Sequence, residues 1–308
     1  MGRYVARRLL QMIPVFIGTT LLIFLMVYSL PGDPVKALFG QRASDPATVE
    51  RLRHQFGLDK PLLAQYWDYI TGLFRGDFGQ SFTGRPVADL MADAFPVTIR
   101  LALLAFGIEL VVGVALGVVT GLMRGKFVDR FVLVFTLIVT SIPVFVIGFV
   151  TVFLFGLKWK VITPTVQDSM DIGQLFAPAM VLGALSLAYV SRLTRTTVVE
   201  NLRADYMRTA LAKGLPRRRI IGVHLMRNSL IPVVTFLGTD LGTLMGGAIV
   251  TEGIFNIQGV GNTLFRAIQT SEGPTVVGIV TVLVLVYLVS SLVVDLLYAV
   301  LDPRIRYA

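Results

Sequence analysis

Six long apolar runs constrain this chain more than any other feature of its sequence. Each is about 20 residues long, which is the length that a helix needs to cross a hydrocarbon core of about 30 Å. They cover residues 9–30, 101–123, 131–157, 172–191, 228–251 and 275–294. Only 15% of the residues are charged and the mean hydropathy is +0.75, which excludes a water-soluble globular fold. The sequence therefore predicts an all-α polytopic membrane protein with six transmembrane helices.

The first run could instead belong to a cleaved signal peptide. Its apolar stretch is too long for one, and no small-residue cleavage site follows the polar switch at residues 31–33. We expect it to remain as the first span.

Residue types suited to metal, redox or hydrolytic chemistry are scarce. The chain has no cysteine and only two histidines, His54 and His224, so a disulfide framework and a His-rich metal site are not expected. ATP hydrolysis needs a Gly-x4-Gly-Lys loop followed by Ser or Thr. The nearest approach, at residues 121–126, is one residue short and is followed by Phe127. We expect no enzyme activity, cofactor site or metal site in this chain.

Positive charges in the connections predict the orientation of the spans. If the N terminus is inside, seventeen of the 28 Lys and Arg lie on the inner side, nine of them between Arg192 and Arg227. Seven of the other eleven lie in one long outer connection, where this rule has little force. We therefore expect both termini in the cytoplasm. The net charge of +9 is interpreted as a topological signal rather than a nucleic-acid footprint.

A hydrophilic segment of the outer side, residues 31–97, carries helical patterns. Asp45-Pro46 predicts the start of one helix and Gly57 its end, while Asp59-Lys60-Pro61 predicts the start of another that ends near Gly76. One face of the second helix carries the apolar residues Leu62, Tyr66, Tyr69, Ile70 and Leu73. This face is expected either to pack on the ends of the spans or to receive an external partner.

The inner segment, residues 192–227, is too long for a simple connection. Leu202, Tyr206, Ala210 and Lys213 fall at helical spacing, and Gly214-Leu215-Pro216 marks a helix end followed by a new start. The arginines that follow, residues 217–219, could simply hold the loop near anionic lipid, but this leaves the short helix before them unexplained. A compact helix between spans four and five is suited to transmit the movement of a separate cytoplasmic motor.

Short motifs occur in a definite order between the spans. The inner segment carries Asp205-Tyr206-Met207-Arg208-Thr209-Ala210-Leu211-Ala212-Lys213-Gly214-Leu215, then His224, Arg227-Asn228 and Ile231-Pro232. The others are Pro31-Gly32-Asp33-Pro34, Arg75-Gly76-Asp77-Phe78-Gly79 with Ser81, Glu252-Gly253-Ile254-Phe255 with Gly259-Val260-Gly261, and Asp302-Pro303-Arg304. In this order, they make the chain resemble a type I ABC importer permease subunit of the dipeptide and oligopeptide class.

The resemblance implies a contact site for an ATPase in the inner segment. Its residues would be Asp205, Tyr206, Arg208, Thr209, Ala210, Lys213, Gly214 and Leu215. In most importers of this type the loop begins Glu-Ala-Ala, with Gly four positions after the second Ala. Here Gly214 matches, Thr209-Ala210 stands for the Ala pair and Arg208 takes the acidic position. The peptide branch commonly departs in this way, so a Glu-based pairing with the ATPase is not implied.

The resemblance also implies a division of labour. Residues 1–30 would form the N-terminal end and first span, 31–97 an external segment, 98–300 the permease core with its coupling loop at 192–227, and 301–308 a cytoplasmic tail. The implied partners are a homologous second permease, two ATPases that bind ATP and Mg²⁺, an external substrate-binding protein, the peptide substrate and membrane lipid. The implied location is a bacterial plasma membrane, and the implied direction of transport is import.

Acidic residues inside the apolar runs are the remaining candidates for function. Glu109 and Asp240 lie within the second and fifth runs, where a carboxylate is costly unless it faces a cavity or a partner. As residues of an importer, they and Glu252 would belong to the translocation path. In a proton-coupled secondary transporter, which is the alternative, Glu109 and Asp240 would carry protons. A purely structural scaffold would leave both acids and the coupling pattern unexplained.

Small residues and prolines predict how the spans pack and bend. Gly113, Gly117 and Gly121 repeat every fourth residue, as do Gly238, Gly242 and Gly246, which favours close helix contacts within the chain or with the second permease. Pro143 and Pro178 should kink or interrupt spans three and four, because each removes a backbone donor.

Overall fold

A computed structural model describes residues 2–29, 35 and 45–301 of the chain. These residues form helices and connecting turns, with one isolated bridge between Gln80 and Pro86. The helices are α1 (Gly2–Tyr28), α2 (Pro46–Gln55), α3 (Leu62–Leu73), α4 (Val87–Leu122), α5 (Phe127–Ser141), α6 (Val144–Lys158), α7 (Ile172–Leu182), α8 (Ala184–Asn201), α9 (Asp205–Ala212), α10 (217–229), α11 (Ile231–Phe255), α12 (Val260–Gln269) and α13 (Gly273–Leu301). The motifs at residues 31–34 and 302–304 lie outside the described residues.

The predicted spans appear as four single helices and two bent pairs. Among the described residues, α1, α4, α11 and α13 are each long and apolar enough to cross a membrane. The pairs α5–α6 and α7–α8 pass the same test but bend by 102° and 62°, respectively. Counting each pair as one span gives the six that the sequence predicts. The start of the second span differs from the prediction, because α4 begins at Val87 and not near Leu101.

The two bends test the proline predictions. The break between α5 and α6 falls at Pro143, as predicted, with Pro143 in the N-cap position of α6. Pro178 does not interrupt its helix as predicted, because α7 continues through this residue and the break, with its bend, falls at Gly183. A Cβ at Gly183 would lie 3.3 Å from the Ala105 carbonyl oxygen of α4, so a glycine permits the close approach at this point.

One compact unit contains the described residues of Met1–Thr98 together with Gln258–Leu292. Within it α2 and α3 form as predicted, with Asp45 capping α2 through a bond from the Ala47 N–H. Tyr66, Tyr69 and Ile70 of α3 pack with Phe24 of α1 and Val277 of α13. The Tyr69 hydroxyl donates to Thr281 Oγ1 at 2.8 Å. The apolar face of α3 is therefore used for packing, the first of the two alternatives considered from the sequence.

The second compact unit contains Ile99–Ile257 together with the described part of Val293–Ala308. Its centre is the contact of α4 with α8. Gly113, Gly117 and Gly121 of α4 face the side chains of Val190, Thr194 and Val198 of α8, which confirms the packing predicted for this repeat. Helix α11 packs on α8 through Val190, Val233 and Leu237. Gly246, in the second glycine repeat, makes no such close contact, because no atom lies within 4 Å of the position that its Cβ would take.

Candidate coupling site and intramembrane acids

The short helix α9 forms the centre of the inner segment. Asp205 lies in its first turn, where a carboxylate interacts favourably with the helix dipole. The helix ends at Ala212, and Gly214 adopts a positive φ of 68°, which a glycine tolerates best. Pro216 then occupies the N-cap position of α10. The predicted sequence of helix, sharp turn and helix is confirmed.

The inward face of α9 is apolar and tightly packed. Met207 and Ala210 are buried with Val198 of α8 and with Ile220 and Leu225 of α10. Among the predicted coupling residues, Tyr206 and Leu215 pack at the edge of this cluster, and the Tyr206 hydroxyl donates to Asn201 Oδ1 at 2.6 Å. The cluster therefore attaches α9 to the end of α8 and to the segment that leads into α11.

The outward face of α9 is exposed. Asp205, Arg208, Thr209, Lys213 and Gly214, five of the predicted coupling residues, lie on this exposed surface. Asp205 and Arg208 approach each other at 3.5 Å, but both are highly exposed, so the pair contributes little to stability. Leu211 lies among them with 63% of its surface exposed. This face therefore presents one apolar side chain surrounded by charged and polar groups.

The acids of the second and fifth runs come close together inside the helix bundle. Glu109 is fully buried on α4, at the start of a π-helical turn that covers Glu109–Gly113. Asp240 of α11 is 6% exposed and interacts electrostatically with Glu109 and with Ser186 of α8. Apart from Asp240, neither Glu109 oxygen has a hydrogen-bond partner among the described residues. Wide helical turns of this kind frequently occur at functional sites.

Glu252 does not belong to this pair. It lies twelve residues beyond Asp240 on the same helix, a distance of about 18 Å along the axis. Glu252 is fully buried and has interaction partners of its own. The structure thus brings together two of the three residues predicted for the translocation path. Across the described chain, no group of three His, Cys, Asp or Glu side chains is arranged to hold a metal ion.

Family models match almost the whole chain. The model described as "Binding-protein-dependent transport system inner membrane component" matches residues 113–307, and the corresponding N-terminal model matches residues 1–102. The chain belongs to this family. The resemblance inferred from the ordered motifs is therefore confirmed, as is the permease fold that it implies.

Curated relatives align over nearly their full length. This membrane component is 36% identical to the dipeptide transport system permease protein DppB of Escherichia coli K12 over 338 residues, covering 100% of this chain and 99% of the relative. It is 39% identical to the di/tripeptide transport system permease protein DppB of Pseudomonas aeruginosa UCBPP-PA14 over 332 residues, covering 99% and 98%. It is also 36% identical to the glutathione transport system permease protein GsiC of E. coli K12 over 308 residues, covering all of both chains.

Two features of this membrane component were missed from its sequence. Leu211 is apolar and lies four residues after the buried Met207, so helical spacing assigns it to the inward face, and only the fold shows that it is exposed. The other is the ion pair of Asp129 and Arg195, in which Arg195 Nε and Nη2 donate to the two carboxylate oxygens at 2.5 and 2.9 Å. The residues are 66 positions apart, and no sequence pattern links them.

Proposed function

We propose that this chain is a permease subunit of an ATP-driven importer that takes up dipeptides and oligopeptides delivered by an external binding protein. The observation that carries the proposal is the full-length similarity to permeases named for dipeptides, di/tripeptides and glutathione. Glutathione is itself a tripeptide, so all three names refer to short peptides. A homologous second permease and two ATPases, which bind ATP and Mg²⁺, would complete the assembly, and this chain would perform no bond chemistry.

Helix α9 is the proposed contact with an ATPase. Its outward face offers Leu211 as an apolar anchor within a rim formed by Asp205, Arg208, Thr209 and Lys213. Buried apolar anchors inside a polar rim carry most of the binding energy of protein interfaces. Most importers of this type carry an acidic residue at the position that Arg208 occupies here. An arginine at this position is compatible with a contact that is anchored by an apolar side chain rather than by an ion pair.

The inward face of α9 supports a route for the movement. Met207 and Ala210 share one packed cluster with Val198 of α8 and Leu225 of α10. Packed interiors resist deformation, so a displacement of α9 is passed to the elements around it. In this proposal the closing ATPases move α9, and α8 and α11 move with it to open the path to the outside.

Glu109, Asp240 and Glu252 are the proposed acids of the translocation path. Carboxyl groups at membrane depth are rare and mark pathways more often than packing positions. Glu109 and Asp240 are buried together in the described bundle, and apart from Asp240 the Glu109 carboxyl has no hydrogen-bond partner there. When the path opens, this pair would attract the positively charged amino terminus of a peptide.

The first experiment replaces the exposed apolar anchor. The protein with Leu211→Asp would be extracted from its native membrane in mild detergent, and the co-purifying subunits and their ATPase activity measured. We expect loss of the ATPases and at least a tenfold fall in activity, because the new charge would be desolvated without a partner at the interface. The matched control is Leu63→Asp on α3, where the leucine is 71% exposed, and it should retain both ATPases.

The outcome also separates the two transport classes. Recovery of the unaltered chain alone, able to take up substrate in a proton gradient without ATP, would overturn the importer proposal in favour of a proton-coupled secondary transporter. In that case Asp240→Asn should abolish the pH dependence of uptake. Equal ATPase recovery with Leu211→Asp and Leu63→Asp would leave the importer class standing but contradict the role of α9 as the contact.

A further inference from the structure

A cavity lined by arginines lies at the ends of α4 and α8. Its volume is about 290 Å³, and its walls are formed by Arg124, Arg195, Thr196, Val199, Glu200 and Arg203. None of these residues has a role in the proposed coupling helix or in the intramembrane acid pair. The cavity is therefore a separate feature of this unit.

One wall of the cavity is held rigidly. The Asp129 side chain is 3% exposed and accepts both bonds from Arg195, and its Oδ2 also accepts from the Gly125 N–H at 2.7 Å. The turn that carries Arg124 is thereby fixed against α8. Arg195 is neutralised by this pairing, so the free charge of the cavity depends on its other members.

Arg124 and Arg203 supply that free charge. Both are exposed, and in the described part of the chain neither forms an ion pair. Glu200 also lines the cavity but makes no salt bridge with Arg124 or Arg203. Two guanidinium groups against one carboxylate leave a net positive site, and guanidinium groups bind phosphate oxygens in a forked geometry.

The level of the cavity favours a lipid over a soluble anion. Arg124 follows the end of the apolar helix α4 at Leu122 by two residues. Gly121 of α4 faces Val198 of α8, so the end of α8, with Arg203 two residues beyond it, lies at nearly the same level. Basic residues directly beyond an apolar span lie at the depth of the lipid head groups. Val199 gives the cavity an apolar patch beside its charges.

We propose that this cavity binds the phosphate group of an anionic phospholipid, with Arg124 and Arg203 as the contact residues and the Asp129–Arg195 pair as their support. The site is independent of which solute the permease transports. It makes bound anionic lipid a component of the protein at the edge that carries the inner segment.

Native mass spectrometry of the full-length protein tests the proposal. The detergent-purified protein would be stripped of lipid and then offered phosphatidylglycerol or phosphatidylcholine. We expect phosphatidylglycerol to be retained preferentially, and Arg124→Gln with Arg203→Gln to weaken its retention on the order of tenfold, because each arginine near the surface contributes severalfold. The control, Arg51→Gln with Arg75→Gln, removes the same charge from exposed positions of the outer segment and should keep the lipid.

Further arms exclude misfolding and a soluble ligand. Arg124→Lys with Arg203→Lys keeps the charge and should restore most of the binding, which an unfolded variant would not do. Equal retention by the Arg124→Gln, Arg203→Gln variant and the unaltered protein would overturn the proposal, and so would equal weakening by the Arg51 and Arg75 control. Displacement of the lipid by inorganic phosphate, but not by chloride of the same ionic strength, would assign the cavity to a free anion and also overturn it.

Discussion

Gly117 is the residue at which the contact between α4 and α8 is closest. A Cβ added there would lie 2.4 Å from Thr194 Cβ and 2.6 Å from the Ser191 carbonyl oxygen, and neither atom belongs to a flexible side-chain end. Because apolar burial gives helices no net attraction within lipid, this close backbone contact is itself a main source of stability. A methyl group at this position must therefore force the helices apart.

We predict that Gly117→Ala destabilises the protein by about 1–3 kcal/mol, the usual range for overpacking. The matched control is Gly107→Ala in the same helix, where no atom lies within 4 Å of the new Cβ. That change should be neutral or slightly stabilising, since alanine has the higher helix propensity. Thermal unfolding in detergent measures both. Equal melting temperatures for the two variants would contradict the packing role of Gly117.

Single residues were predictable when their chemistry conflicted with their surroundings. The glycine repeat and the two acids stood out because small or acidic residues in an apolar run need a structural reason. The proximity of Glu109 and Asp240 was not predictable, because it depends on how α4 and α11 pack on α8. Asp129 and Arg195 were missed for a related reason: charges at the ends of spans are common, and only the fold shows which of them pair.

At the scale of the element, the helix boundaries followed local chemistry. Asp45 and the residues around Pro61 mark the starts of α2 and α3, and Gly214 and Pro216 separate α9 from α10, as predicted. The failure at Pro178 has a physical basis. A proline removes one backbone donor, whereas the bend falls at Gly183, where the backbone approaches Ala105 of α4, and local sequence does not reveal that contact.

The turn after α9 depends on a glycine in a left-handed conformation. Gly214→Ala would place a side chain on a residue with φ of 68°, at a cost of about 1–2 kcal/mol. We expect the end of α9 to loosen, so that limited trypsin digestion after Lys213 becomes several times faster and ATP-driven uptake falls. Gly222→Ala, in α10, is the control, because its surroundings are open and its φ is ordinary. Digestion at the same rate in both variants would show that the turn does not depend on this glycine.

For the whole molecule, hydropathy sufficed to predict an all-helical membrane protein with six spans. It could not show that two of the spans are bent pairs, because a run of apolar residues has the same hydropathy whether its helix is straight or broken. Nor could it show that residues 258–292 form one compact unit with the beginning of the chain. Contacts between segments so distant in sequence depend on the packed fold.

Orientation in the membrane is the whole-molecule property that the charges predict, and the chain is well suited to testing it. Because it contains no cysteine, single cysteines can be introduced without background labelling. Thr165→Cys lies in the connection between α6 and α7, and Lys126→Cys lies in the connection between α4 and α5; both residues are exposed. The distribution of Lys and Arg predicts that the α4–α5 connection and α9 lie on the cytoplasmic side. In intact spheroplasts we therefore expect a membrane-impermeant maleimide to label Thr165→Cys at once and Lys126→Cys only after permeabilisation. The reverse order would invert the topology and remove α9 from the reach of a cytoplasmic ATPase.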